Sequence, residues 1–133
     1  PETQVVLPRL VTPLSSLLYA AATGGLADHA APVFSDDVAV TVVLASEGYP
    51  ENPKIGRPIT GLDAALAVEG ITIAHAATAK KGDEFVATGG RVLSIVATGE
   101  SFAVARERAY EALGHIHLEG SHFRSDIALR VAK

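Results

Sequence analysis

The sequence has no cysteine, no methionine and no tryptophan in 133 residues, and aromatic side chains make up only 5% of it. Without cysteine there can be no disulfides, which suits a reducing compartment, and we predict a cytoplasmic location. No apolar run approaches the roughly 20 residues of a membrane span, and the first residues do not resemble a signal peptide, so we expect no membrane contact. The net charge of -4 leaves no basic excess to neutralise phosphates, so we predict no nucleic-acid partner.

Methionine is missing even at position 1. We therefore expect either that an initiator has been removed or that the chain is a piece of a longer protein. Its length corresponds to one domain, or to one domain with an appendage. Apolar residues form 48% of the chain and are mostly alanine, valine and leucine, which is enough for a core.

Two helices are predicted, one near each end. The first has Thr12 as its N-cap and Pro13 at its first position, and it stops at Gly24-Gly25. Its apolar stripe consists of Leu14, Leu17, Leu18, Ala21 and Ala22. The second runs from Phe102 to about His117 with Ser101 as its N-cap. We expect its buried face to be Phe102, Ala105, Ala109, Leu113 and Ile116, and its solvent face to be Arg106, Glu107, Arg108 and Glu111.

Strands are predicted between these helices. Val38–Ala45 is an apolar, β-branched run typical of a buried strand, and Ile71–Ala76 begins with strict alternation. Glu84–Thr88 and Arg91–Thr98 are two further strands. A short helix is expected over Gly61–Leu66. Strands clustered between helices predict an α+β fold with a small, mostly antiparallel, barrel-like sheet.

Two loops stand out as possible contacts for a ligand or another domain. Glu47–Pro58 is a long segment with three prolines and one aromatic residue, Tyr49. Gly89-Gly90 separates two predicted strands, so we expect a hairpin whose glycines permit positive φ and leave bare backbone for close approach. Arg91 follows, with a planar fork that suits phosphate or carboxylate. The alternative is an ordinary hairpin with a solvated arginine.

The residues alone do not reveal a self-contained catalytic apparatus. His115 and His117 would point about 200° apart on a helix, and His122 adds no shell of ligands, so we predict no metal site. His75 alternates with apolar residues and is interpreted as a core or edge histidine. The sequence contains no nucleophile elbow, P-loop or G-x-G-x-x-G motif, although a small hydrolase that uses serine and histidine stays open.

A series of short motifs runs in order along the whole chain. They are Pro1–Leu10, Val40–Pro50, Gly56–Leu62, Thr88–Leu93, Ala109–Ala112, Ile116–Gly120 and Arg124–Ile127. Together they resemble the phosphoribosylamine–glycine ligase (glycinamide ribonucleotide synthetase) family, and PETQ at Pro1–Gln4 resembles the end of its Arg-Phe-Gly-Asp-Pro-Glu-Thr-Gln signature. The departures are modest. His75–Thr78 replaces the usual His-Ala-Gly-Thr, Ala87–Gly90 replaces Thr-Asn-Gly-Gly, and Ser125 stands where lysine is common, so no role of that lysine carries over.

The resemblance implies the C-terminal portion of an ATP-grasp ligase. The family joins glycine to 5-phosphoribosylamine through an acyl phosphate, forming glycinamide ribonucleotide, ADP and phosphate in purine biosynthesis, with ATP and Mg²⁺ as cofactors. It implies that residues 1–27 are the helical tail of the ATP-grasp domain and residues 28–133 the C-terminal α+β domain. The ATP-grasp core, the N-terminal domain and most metal ligands would then lie upstream, and the fragment alone should be inactive.

The same resemblance implies which residues meet the substrates. Gly89, Gly90 and Arg91 are expected near the ribose phosphate of 5-phosphoribosylamine, with Arg124 and Asp126 as further candidates. Pro1 and Glu2 would be the remnant of a motif near the active site. No catalytic residue and no metal ligand is expected within the chain. The alternative from another class is a non-catalytic interaction module that packs on a partner through Leu14, Leu17 and Leu18.

Overall fold

The computed structural model describes residues 1–132. Its helices are α1 (Thr3–Val6), α2 (Leu14–Ala22), α3 (Leu62–Leu66) and α4 (Phe102–His115), with single 3-10 turns at Leu7–Arg9 and Leu26–Asp28. Its strands are β1 (Val38–Ala45), β2 (Pro58–Ile59), β3 (Ile71–His75), β4 (Thr78–Lys81), β5 (Glu84–Ala87) and β6 (Arg91–Gly99). Within these residues, none of the helices combines the length and apolar character needed to cross a bilayer.

The strands form two small sheets, each with three strands. One has the order β1-β6-β3 and the other β2-β5-β4, and every pair in both is antiparallel. The predicted α+β fold with small, mostly antiparallel sheets is therefore confirmed. The boundaries predicted for β1 are also those observed, because its unbroken β-branched run has few other ways to bury itself.

The core lies between the first sheet and α4. Val40, Val42 and Leu44 of β1 are buried at every second position, as a pleated strand requires, and they pack with Leu93 and Ile95 of β6. From α4, the core receives Ala105, Ala109, Ala112 and Leu113. The three alanines let the helix lie close to the sheet. Residues 92–97 of β6 are all buried because α4 covers one face of this strand while α1 contacts the other.

The predicted hairpin around Gly89-Gly90 is wrong. β5 pairs with β4 and β2, whereas β6 pairs with β1 and β3, so the two glycines cross from one sheet to the other. The tight hairpin joins β4 to β5 at Gly82-Asp83 instead. β4 is absent from the sequence prediction because Thr78–Lys81 is short, polar and largely exposed. Such a strand gives no apolar alternation to detect.

The helix termini follow the sequence in part. Ser101 caps α4 as predicted, since its hydroxyl accepts a hydrogen bond from the Val104 amide at 3.3 Å. Thr12 does not cap α2, because its hydroxyl accepts the Val33 amide at 2.8 Å instead. Phe102 is 39% exposed and not buried, since the contact of α4 with the core starts one turn later at Ala105.

The solvent face predicted for α4 also needs correction. Arg106 and Arg108 are half-buried, because neighbouring segments cross the helix and offer carbonyl acceptors. Arg106 donates to the carbonyls of Ser125 and Ile127 at 2.6 and 3.0 Å. Arg108 donates to the Thr98 carbonyl at 2.9 Å. Both arginines tie α4 to its surroundings.

Candidate functional site

A concave surface that encloses a volume of about 490 Å³ lies at the start of β6. It is lined by Pro1, Gln4, Val43, Tyr49, Ala76, Ala77, Gly90, Arg91 and Ser94. The lining comes from the first residues of the chain, from β1 and β6, and from both loops that the sequence singles out. The fold thus brings Pro1 next to Gly90 and Arg91, although the first residue and this pair are far apart in sequence.

A β-bulge brings Arg91 to this surface. Leu44 pairs with Leu93, but the next residue of β1, Ala45, pairs with Arg91, so Val92 is one extra residue in β6. Arg91 and Ser94 are three positions apart and would lie on opposite faces of a regular strand. Because of the bulge, both line the same concavity. Sequence alternation could not have predicted this placement.

The Arg91 guanidinium is exposed and unneutralised. Within residues 1–132, Arg91 has neither a side-chain hydrogen bond nor an ion pair with any neighbour. Its planar fork is therefore available for an anion, and the fork geometry matches the paired oxygens of a carboxylate or phosphate.

The Gly89-Gly90 segment beside Arg91 is held through its carbonyl groups. The Ser46 hydroxyl donates to the Gly89 carbonyl at 2.8 Å, and the Ser46 amide donates to the Gly90 carbonyl at 2.8 Å. Within the described part of the chain, the amide groups of Gly89 and Gly90 have no acceptor. The Gly90 N–H shares a planar peptide group with the Gly89 carbonyl, so the Ser46 hydroxyl also fixes the direction of this N–H, and a free donor held next to an arginine is suited to anion binding.

Glycine is needed at position 90 for a reason other than the one predicted. Neither Gly89 nor Gly90 has positive φ, so the expectation of left-handed backbone is wrong. Instead, the Tyr49 ring lies against Gly90, where an added Cβ would overlap its Cδ2 and lie 2.9 Å from its Cε2. The absent side chain makes room for the ring.

The loop that carries Tyr49 is tied down at its other end by Arg57. This guanidinium bonds to the Glu47 carboxylate and donates to the Glu119 carbonyl at 2.8 Å. The hydrogen bond with Glu47 raises the pKa of Arg57 above its usual value. Sequence reasoning missed both Ser46 and Arg57, and the only available signal was a pair of opposite charges within a loop rich in proline and glycine.

Arg124 and Asp126 do not line this concavity. They pair with each other, Nε to Oδ1 at 2.9 Å and Nη2 to Oδ2 at 2.7 Å. The hydrogen bond from Arg124 lowers the pKa of Asp126. The segment is fixed to α4 because the Tyr110 hydroxyl donates to the Arg124 carbonyl at 2.6 Å. The Nε–Nη2 edge of the Arg124 fork is therefore already occupied.

The remaining predicted residues take other positions. Glu2 is exposed at the start of α1, where its carbonyl accepts the amides of Val5 and Val6. His75 is an edge histidine, as interpreted from the sequence, on the outer strand β3 and 2.9 Å from the Thr78 hydroxyl. Across residues 1–132 there is no group of three or more histidines and carboxylates that could hold a metal ion.

The apolar stripe of α2 is largely exposed. Leu14 and Leu18 are 41% and 61% exposed, and Tyr19 beside them is 73% exposed. Together with Leu26 and Pro32, the helix borders a groove of about 500 Å³. The packing of this region differs from the rest of the fold, since the main contact of α2 with another element is with the turn at Leu26–Asp28.

The family model described as phosphoribosylglycinamide synthetase, C domain, matches residues 39–130 of this chain. The chain belongs to this family. The match includes both loops of the concave surface and all six strands apart from the first residue of β1. The resemblance predicted from the sequence motifs is thereby confirmed.

Curated relatives of this synthetase family extend the match to the whole chain. A phosphoribosylamine–glycine ligase of Leifsonia xyli is 63% identical over 98% of this chain and 32% of its own length. The Streptomyces coelicolor ligase is 54% identical over 99% of this chain. The crystal structure of the Thermotoga maritima ligase superposes with a TM-score of 0.79 at 36% identity, over 95% of this chain and 30% of that one. The chain thus spans about a third of the length of its relatives.

Proposed function

We propose that this chain forms the C domain of a ligase that joins glycine to 5-phosphoribosylamine, with ADP formation through an acyl phosphate, in purine biosynthesis. The relatives that match its whole length carry the name of this activity. The observation that carries the proposal in the fold is the concave surface with the unpaired Arg91. A substrate that bears a phosphate monoester needs such a cationic contact.

Within this proposal, Arg91 and the amide groups of Gly89 and Gly90 bind the ribose phosphate of 5-phosphoribosylamine. Arg91 supplies charge and a planar fork, and the amides supply donors that have no other acceptor among residues 1–132. Pro1 and Gln4 lie at the same concavity, so the PETQ motif would adjoin the substrate. Arg124 and Asp126 are second candidates, weakened by their mutual pairing.

ATP and Mg²⁺ are assigned to the rest of the proposed ligase. Among residues 1–132 there is no group of three or more histidines and carboxylates, and we propose that most of the Mg²⁺ ligands lie in the ATP-grasp domain. We accordingly propose that the chain acts with an ATP-grasp domain and an N-terminal domain in the cytoplasm, that it has no turnover alone, and that residues 1–27 belong to the ATP-grasp side.

A second candidate is a non-catalytic interaction module. The exposed Leu14 and Leu18 favour it, because an apolar stripe on a short helix needs a partner surface. The ligase proposal needs the same stripe to pack on the remaining domains. The two candidates therefore differ in turnover and not in binding.

A chimaeric enzyme distinguishes the ligase from the interaction module. This chain would replace the matching region of the Leifsonia xyli ligase, and ADP release would be measured with glycine and 5-phosphoribosylamine present together or singly. We expect activity within about tenfold of the parent enzyme, a loss of about 1.4 kcal/mol at most, and dependence on both substrates. The ligase without this region and the chain alone are controls that should be inactive. A folded chimaera without turnover would overturn the ligase proposal and favour the interaction module.

A further inference from the structure

Ser46 is a buried residue whose hydroxyl and amide both form hydrogen bonds with the Gly89-Gly90 segment. It follows β1 and is 2% exposed, so its polar groups need partners inside the protein. Both of its donors are used on consecutive carbonyls, those of Gly89 and Gly90, at 2.8 Å each. One residue thus fixes the orientation of two peptide groups.

Tyr49 holds the same segment from another side. Its amide donates to the Ser46 carbonyl at 3.2 Å, so the two residues belong to one turn. Its ring lies against Gly90 and is only partly exposed, and the exposed part lines the concavity together with Arg91. Gly90 therefore has Ser46 on its carbonyl and an aromatic ring where a side chain would be.

This arrangement has an electrostatic consequence. A carbonyl oxygen that faced the concavity would repel an anion, and here both glycine carbonyls are engaged by Ser46. The free groups of the segment are its amides, next to the unpaired Arg91. Donors fixed before a ligand arrives need little reorganisation on binding.

We propose that Ser46 and Tyr49 are positioning residues, which hold the Gly90 amide in place for the phosphate monoester of the substrate. The inference rests on the proposed function, because it deepens the role of the same concave surface. Neither residue needs to touch the reacting atoms. Their effect should therefore appear in binding of the phosphate-bearing substrate and leave glycine unaffected.

The test uses the chimaera with Ser46→Ala and, separately, Tyr49→Leu. We expect each to raise KM for 5-phosphoribosylamine by about 5- to 30-fold, with kcat and KM for glycine within about twofold, because Ser46→Ala removes the hydroxyl bond to the Gly89 carbonyl and Tyr49→Leu removes the ring that packs on Gly90. Gly114→Ala is the control, because this position on α4 lies outside the concavity and an added Cβ meets no neighbour there, so the variant should behave as the parent chimaera. Tyr49→Leu decides the matter if Ser46→Ala does not fold.

Binding without turnover gives the second measurement. Calorimetry would measure the affinity for ribose 5-phosphate and for ribose. Both substitutions should weaken the binding of ribose 5-phosphate and reduce the preference for it over ribose. An unchanged preference, or an equal loss in all kinetic constants, would contradict the positioning role. A chimaera that binds ribose 5-phosphate but lacks turnover would contradict the proposed function alone, and one that does not bind it would overturn this inference.

Discussion

Two arginines that the sequence analysis assigned to the same task end in opposite situations. Arg91 lies at a bulge in β6 and lines a concave surface, and its side chain has no hydrogen-bond or ion-pair partner among residues 1–132. Arg124 lies on the segment that crosses α4, and its fork is filled by Asp126 at 2.7 and 2.9 Å. A guanidinium whose edge already pairs with a carboxylate has fewer donors and less net charge to offer to an external anion. The sequence shows that both residues carry a positive charge, but it does not show which of the two guanidinium groups has a partner.

The surroundings of the two residues differ in the same sense. Near Arg91, Ser46 and Tyr49 hold a backbone segment and leave its amides free. Near Arg124, the hydroxyl of Tyr110 fixes the backbone by accepting from Ile127 and donating to Arg124 itself. The first region is arranged to receive a group from outside, and the second is closed on itself.

The largest expected effect is at Arg91. In the chimaera, Arg91→Ala should lower kcat/KM for 5-phosphoribosylamine by about 10- to 100-fold, because a charge-assisted hydrogen bond contributes about 1.5–3 kcal/mol. Arg91→Lys should lose less, since it keeps the charge but not the planar fork. Steady-state kinetics with each substrate varied in turn gives the values. If Arg91→Ala left both kcat and KM unchanged, the phosphate assignment would be wrong.

The next effect concerns Gly90. Gly90→Ala puts a Cβ into the Tyr49 ring, so we expect it to destabilise the full chain by about 1–3 kcal/mol. Urea denaturation followed by circular dichroism measures this. Gly114→Ala is the matched control, because no atom lies within 4 Å of its new Cβ and alanine favours a helix interior.

A double variant sharpens this test. In the double variant Gly90→Ala/Tyr49→Ala, the ring that the new methyl group would meet is absent. The double variant should therefore lose less stability than the sum of the two single losses. Strict additivity of the two single effects would show that the ring does not lie against Gly90 in solution.

The smallest effect is expected at the Arg124–Asp126 pair. Arg124→Ala should change KM for 5-phosphoribosylamine by less than about twofold, because an exposed ion pair contributes little and its fork is occupied. A loss as large as that of Arg91→Ala would remove the contrast between the two regions.

The same pair makes a prediction about pH. The pKa of Asp126 is lowered in the folded chain by its hydrogen bond from Arg124, so the pair stabilises the fold above the unfolded pKa of aspartate, about 4. This contribution is lost as the pH falls through the lower, folded pKa. Melting curves of the chain and its Asp126→Asn variant should therefore differ slightly near pH 7 and converge in acid. A difference that grew below pH 4 would contradict this assignment.

Much of the fold could be predicted from local patterns. Val38–Ala45 is a strand and Ser101 caps α4, because β-branched runs and hydroxyl caps act over a few residues. The crossing from β5 to β6 could not be predicted, since Gly89-Gly90 has the composition of a hairpin turn. Pairing between strands distant in sequence decided it.

Local sequence patterns were enough to predict the α+β class and the family, and they include an arginine that follows two glycines. The tertiary structure decided which groups are free to bind. A single extra residue in β6 places Arg91 and Ser94 at the same concave surface. The Ser46 hydroxyl donates to the Gly89 carbonyl, and the Asp126 carboxylate pairs with the Arg124 guanidinium. The physical reason is that residue type sets charge and hydrogen-bonding capacity, whereas long-range packing determines which of those capacities are already satisfied.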